Sequence, residues 1–101
     1  MRITHKMLVE LEACDKELAD FDREWPDGVS ITRKNCLRAA ELGLGIDWLA
    51  CRVLTGDARK AYDSAVRKTL VDYRYAGGAW KEFRKAIAIA FWRAVRRMES
   101  E

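Results

Sequence analysis

Two stretches with the period of an α-helix meet at the glycine pair 77–78. The first, residues 58–76, repeats small and apolar side chains every three or four positions, at Ala58, Tyr62, Ala65, Val66, Thr69, Tyr73 and Ala76. The second, residues 79–98, has a stripe at Trp80, Phe83, Ile87, Phe91, Ala94 and Met98. Glycine disfavours a helix interior by about 1 kcal/mol. The pattern therefore predicts two long helices packed as an antiparallel hairpin, with a seam of Tyr62, Tyr73, Phe83, Ile87 and Phe91.

Residues 1–56 predict four short helices. Side chains suited to N-caps precede each of them, at Thr4, Asp15, Thr32 and Asp47. They place helices at about 5–13, 16–24, 33–42 and 48–54. Residues 29–31 are expected to be extended, with no partner strand. The predicted fold is one all-α domain, residues 1–101, in which a small helical head (1–56) is followed by a basic helical hairpin (57–101).

The net charge of +3 is unevenly distributed. Residues 1–56 hold 8 Lys/Arg and 10 Asp/Glu, a net charge of −2, whereas residues 57–101 hold 11 and 6, a net charge of +5. Two segments of opposite sign are suited to different partners, or to each other in two copies of the chain. The chain has no apolar run of the roughly 20 residues that a membrane span needs. Its first residues include acids and lack a secretory cleavage site, so we expect a cytoplasmic location.

Neither a catalytic centre nor a metal site is predicted. His5 is the only histidine, and no serine or cysteine stands at a spacing that suggests a nucleophile beside it. The three cysteines, Cys14, Cys36 and Cys51, contain no CxxC pair and are expected to be reduced and mostly buried. Asp20, Asp22 and Glu24 are acidic, but helical residues two apart point in different directions. The sequence therefore predicts a protein that is not an enzyme and needs no cofactor.

Residues 13–54 carry a series of short motifs. They are Ala13-Cys14, Phe21, Pro26-Asp27-Gly28-Val29, Ile31-Thr32, Asp47-Trp48-Leu49-Ala50 and Val53-Leu54. This series resembles a module of small bacteriophage and prophage proteins of unknown function. The stretch "ARKAYDSAVRK" (58–68) is similar to the "A.KAYDEA..PA" units that follow that module, and "DYRYA" and "EFRKA" keep an aromatic residue and an alanine in degenerate copies. The resemblance implies a phage or prophage origin and no particular activity.

Protein binding is favoured by an unusual distribution of side chains on the last helix. With Trp80 at 0° and 100° per residue, Trp92 lies near 120° and Ile89 near 180°, both outside the apolar stripe. The cations Lys81, Lys85, Arg93 and Arg96 share that sector. Aromatic residues and arginine are enriched in interface hot spots, so these six residues form the predicted protein-binding surface. The alternative is that the head buries Ile89 and Trp92.

Nucleic-acid binding is the second hypothesis. Cations on both long helices could neutralise phosphates, namely Lys60, Arg67, Arg74, Lys81, Lys85, Arg96 and Arg97. Exposed faces of most helical hairpins carry such side chains, and no DNA-binding motif accompanies them. We therefore expect a small accessory protein that binds a host or competing protein stoichiometrically. Inhibitors of host defence complexes, including anti-CRISPR proteins, are one group that fits, and a second copy of the chain is an alternative partner.

Overall fold

A computed structural model describes the backbone of residues 1–76 and 80–100 and the side chains of residues 1–71 and 80–100. The predicted glycine break at 77–78 and the side chains of Tyr73, Arg74 and Ala76 lie outside this part. The described residues are mostly helical, and short strands add little to them. The elements, in chain order, are β1 (Arg2–Ile3), α1 (His5–Glu10), α2 (Asp15–Glu24), β2 (Val29–Ser30), α3 (Arg33–Glu41), α4 (Ile46–Val53), α5 (Gly56–Ala76) and α6 (Trp80–Ser100).

The extended segment at residue 29 does have a partner strand, so the prediction that it had none was wrong. β1 and β2 pair antiparallel, with Arg2 opposite Ser30 and Ile3 opposite Val29. Gly28 makes the turn into β2 with a φ of +91°, and an added Cβ would lie 2.9 Å from the carbonyl oxygen of Ile3. A two-residue strand is too short to show an alternating pattern in the sequence, which explains the error.

Two of the four predicted N-caps are confirmed. The hydroxyl of Thr4 accepts a hydrogen bond from the Met7 amide at 3.2 Å, and that of Thr32 accepts one from the Asn35 amide at 3.1 Å. Each bond satisfies one of the amides that the first turn of a helix leaves without an intrahelical partner.

The other two predicted caps were wrong. Asp15 is already within α2, and Cys14 holds the cap position without a side-chain hydrogen bond. Asp47 is within α4, whose cap is Gly45, and the amide of Gly45 donates to the Glu17 carboxylate at 3.1 Å. A distant side chain thus does part of the capping, which local sequence does not reveal.

The core consists of two apolar clusters, and α6 is central to the larger one. The smaller cluster joins β1, α1, α2 and β2 through Ile3, Leu8, Phe21 and Val29. The larger joins α3, α4, α5 and α6 through buried side chains that include Cys36, Leu54, Tyr62, Ile87, Phe91 and Val95. Because α6 packs against α3 as well as α5, residues 57–101 share their core with the preceding helices.

The buried side chains of α6 differ from the predicted stripe at the start of the helix and also include residues beside the stripe. Trp80 is 63% exposed, so its assignment to the stripe was wrong. It is the first described residue of α6, and its ring stacks on Phe83 with centroids 5.0 Å apart. Ala88 and Val95, which lie outside the predicted stripe, are fully buried. Of the predicted seam, Tyr62, Ile87 and Phe91 are buried and Phe83 is partly buried.

Candidate protein-binding face

One face of α6 combines large, partly buried apolar side chains with exposed cations. Lys81, Lys85, Arg93 and Arg96 are exposed, whereas Ile89 and Trp92 are partly buried. A single helix carries all six of these predicted residues, so their spacing follows directly from the helical repeat. We call these six residues the α6 face.

Trp92 lies between the core and the solvent. Its ring packs against the larger apolar cluster, and the guanidinium carbon of Arg96 lies 5.1 Å from the ring centroid. A cation over an indole ring at this distance is attracted by the ring's negative face. Trp92 is therefore only partly buried: part of its side chain is covered by the protein, and the rest is available at the surface.

Ile89 lies on the other side of the α6 face, in a groove between α5 and α6. The groove has a volume of about 670 Å³. Its walls are lined by Ala61, Tyr62, Ala65 and Thr69 of α5 and by Ala86, Ile89, Ala90, Arg93, Ala94 and Arg97 of α6. Small side chains on both helices leave this space open. Ile89 is the largest aliphatic side chain among them.

The charged residues in this region are mostly basic. Among the described residues that line the groove, Arg93 and Arg97 are the charged ones, and none is an acid. The ammonium of Lys85 lies 3.6 Å from the Glu82 carboxylate one turn earlier, and both side chains are exposed. Such exposed pairs contribute about 0–1 kcal/mol. Glu82 thus offsets one of the four positive charges of the α6 face.

The cations proposed for nucleic-acid binding lie on both long helices. Lys60 and Arg67 are exposed on the side of α5 opposite Ala58 and Tyr62, which face the core. Lys81, Lys85, Arg96 and Arg97 are exposed on α6, and the side chain of Arg74 is not described.

The histidine and the three cysteines of the sequence lie outside α6. His5 is exposed, with its Nδ1 2.8 Å from a carboxylate oxygen of Asp22. Cys14 and Cys51 are exposed free thiols, so the prediction that the cysteines are mostly buried was wrong for these two. Cys36 is buried, and burial raises the pKa of its thiol to about 11. The described residues contain no cluster of three or more His, Cys, Asp or Glu side chains that could hold a metal ion.

A second cavity lies between the two apolar clusters. It has a volume of about 70 Å³, and its lining side chains are almost all apolar, among them Phe21, Trp25, Trp48 and Phe91. Glu17 and Asn35 also border it. The Glu17 carboxylate accepts from the Gly45 amide, and the Asn35 side-chain amide donates to the Ser30 carbonyl at 2.9 Å. Both polar side chains already have partners, so this cavity is better explained as a packing gap.

Sequence reasoning missed the α5 wall of the groove. Ala61 lies next to the predicted inward stripe, and Ala65 and Thr69 belong to it. The available signal was that an alanine recurs about once per helical turn on each helix, as at Ala61 and Ala65 on α5 and at Ala86 and Ala90 on α6. Alanine is too small to fill the space between two helix axes. That signal indicates close packing as readily as a groove, and only the relative placement of α5 and α6 distinguishes them.

Comparison with protein-family models, with curated proteins and with solved structures gives no match to this chain. Within the part of the chain that the structure describes, none of the helices combines the length and the apolar character that crossing a membrane requires.

Proposed function

We propose that this protein is a small all-α accessory protein of phage or prophage origin that acts by binding another protein stoichiometrically. It performs no catalysis, and it works in the cytoplasm of a bacterial host. In this proposal a head of four short helices supports an antiparallel pair of long helices, and the α6 face makes the contact. The target is a host or competing protein, and inhibition of a host defence complex in the manner of anti-CRISPR proteins fits the resemblance of residues 13–68.

The observation that carries the proposal is the incomplete burial of Ile89 and Trp92 among exposed cations. Full burial of such a side chain stabilises a protein by about 1.5–3 kcal/mol. Contact with a partner would bury the apolar surface that these two side chains still expose and would provide the rest of this energy. The surrounding cations would orient an acidic partner and accelerate association, which are the usual contributions of charge at an interface.

Affinity capture from a bacterial lysate tests the proposal. Ile89→Glu places a charge in the α6 face, and Val9→Glu is the matched control, since Val9 is 49% exposed on α1. We expect wild type and Val9→Glu to retain the same protein after nuclease treatment, and Ile89→Glu to lose it. A hot-spot residue costs about 2 kcal/mol or more when altered, which is roughly a thirtyfold loss of affinity.

Two results would contradict the proposal. If nuclease releases the captured material, the cations bind nucleic acid and the α6 face is not a protein-binding surface. If Ile89→Glu and Val9→Glu retain the protein equally well, binding occurs elsewhere on the molecule.

A further inference from the structure

We infer that the partner binds through an acidic amphipathic helix that lies in the groove between α5 and α6. This inference rests on the protein-binding function proposed above and extends its site from α6 onto α5. The groove is lined over residues 61–69 of α5 and 86–97 of α6. At 1.5 Å per residue these segments span about 12–16 Å, the length of two to three helical turns.

The hydrogen bonding of the lining residues favours a helix over an extended segment. The Thr69 hydroxyl donates to the Ala65 carbonyl at 2.8 Å, and the Tyr62 hydroxyl donates to Asp47 at 2.7 Å. Both hydroxyls of the lining are therefore engaged within the chain, and most other lining side chains are alanines. An extended segment would place amides and carbonyls against this apolar wall without partners, at a cost for each group. A helix satisfies its own backbone.

The size of the lining side chains suits the same occupant. Two helix axes approach to about 8 Å where the contacting residues are small and to about 10 Å where they are large. Ala61 and Ala65 on one wall and Ala86 and Ala90 on the other permit the closer approach. Ile89 at the edge would then pack against the apolar side of the incoming helix.

Charge determines the chemistry of that helix. Arg93 is exposed and lines the groove, and the described part of the lining contains no acid. Glutamate or aspartate along the flank of the incoming helix would pair with Arg93.

Two other occupants fit this charge pattern less well. A symmetric pair of copies would present the same patch to itself and would bring the arginines of both copies together, which is unfavourable. Single-stranded nucleic acid would need aromatic rings on which to stack its bases, and Tyr62, the aromatic residue among the described lining residues, is only 1% exposed.

A designed peptide of about four helical turns tests this inference directly. One face carries alanine and leucine at positions i, i+3, i+4 and i+7, and both flanks carry glutamate. A matched peptide has lysine in place of every glutamate. Binding is measured by fluorescence anisotropy, and the contact surface is mapped by amide chemical-shift changes during an NMR titration of the full chain.

Two substitutions alter the groove, and each has a matched control elsewhere. Ala65→Leu fills the groove from α5, and Ala19→Leu makes the same change at an exposed position of α2. Arg93→Glu reverses a lining charge, and Arg33→Glu does so at an exposed position of α3. We expect the glutamate peptide to bind at least tenfold more tightly than the lysine peptide. Each groove substitution should weaken its binding at least tenfold with an unchanged melting temperature, while the controls bind normally.

Several results would overturn the inference. They are equal binding of the two peptides, binding of neither, unchanged binding by Ala65→Leu, and shift changes outside residues 61–69 and 86–97. A dimer or an oligonucleotide complex that Ala65→Leu disrupts would also overturn it, because the groove would then hold a different occupant. If Ile89→Glu abolishes capture of a partner protein but Ala65→Leu does not, the proposed function stands and only the helical occupant is wrong.

Discussion

The hydrogen bond between Tyr62 and Asp47 gives a quantitative test of how α5 is attached to α4. The Tyr62 ring is buried, and its hydroxyl donates to Asp47 Oδ1 at 2.7 Å. Burial, together with the hydrogen bond to the Asp47 carboxylate, raises the pKa of this phenol well above its ordinary value, so it remains protonated as a donor at neutral pH. Hydrogen bonds to charged groups contribute about 1.5–3 kcal/mol. Asp47 is exposed and can exchange this bond for water, so we expect Tyr62→Phe to cost about 1.5 kcal/mol.

A double-mutant cycle separates this bond from the capping role that the sequence suggested for Asp47. Asp47→Ala removes the acceptor and leaves a buried hydroxyl unpaired, at a cost of about 1–3 kcal/mol. In a Tyr62→Phe background the same change should cost only the interaction of the carboxylate with the start of α4, about 0.3–1 kcal/mol. Urea unfolding of the four proteins, followed by circular dichroism, should give a coupling energy of about 1–2 kcal/mol. Costs that add to within about 0.3–0.5 kcal/mol would refute the reasoning and favour a capping role for Asp47.

Three further predictions concern the core, the thiols and the α6 face. Phe91→Ala should lower the free energy of unfolding in urea by about 3–5 kcal/mol. The reason is that this buried ring borders an existing cavity, so the surrounding side chains cannot close the space fully. An unchanged midpoint of urea unfolding would contradict this prediction. Cys14 and Cys51 should react with a thiol reagent in the native protein, and Cys36 only after unfolding; rapid reaction of all three would contradict its burial. Burial in the folded state raises the pKa of Cys36 to about 11. As the pH rises towards that value, the unfolded state therefore binds fewer protons than the folded state, and the stability of the wild-type protein falls. The melting-temperature difference between wild type and Cys36→Ala should narrow over the same pH range. Trp92→Ala should lower the free energy of unfolding in urea by about 1–3 kcal/mol, and Ile89→Ala by less than about 1 kcal/mol. The reason for the difference is that, of these two residues, only Trp92 packs against the larger cluster. Equal losses would contradict this prediction.

Local signals in the sequence predicted most of the helices. Thr4 and Thr32 mark the starts of α1 and α3 because a cap acts on an amide three residues away. The buried positions Tyr62, Ile87 and Phe91 follow from a helical period that extends over several turns. These features depend on neighbours within one element, so a single sequence is enough to reveal them.

Features that depend on distant contacts could not be predicted. Asp47 has the chemistry of a cap, but the Tyr62 hydroxyl, fifteen positions later, is its partner. The pairing of Ile3 with Val29 joins strands of two residues each, too short for any period. Trp80 fits the angular stripe of α6, but it is 63% exposed.

In the candidate site, too, some features follow from local sequence and others depend on contacts with other elements. The sector that contains Ile89, Trp92 and the four cations follows from the helical repeat alone. How deeply each side chain is buried depends on the elements packed beside α6, which include α3, α4 and α5. The α5 wall of the groove, including Ala61 and Ala65, was therefore missed by reasoning that considered α6 alone.

Site-specific photo-crosslinking in bacterial cells tests the central claim most directly. A benzoylphenylalanine at position 89 places the reactive group in the α6 face, and the same residue at position 9 places it on α1, where Val9 is exposed. We expect irradiation to join the position-89 variant to one protein, in a nuclease-resistant band that the position-9 variant does not form. A crosslink from position 9 alone, equal crosslinks from both positions, or a product that nuclease removes would contradict protein binding through the α6 face.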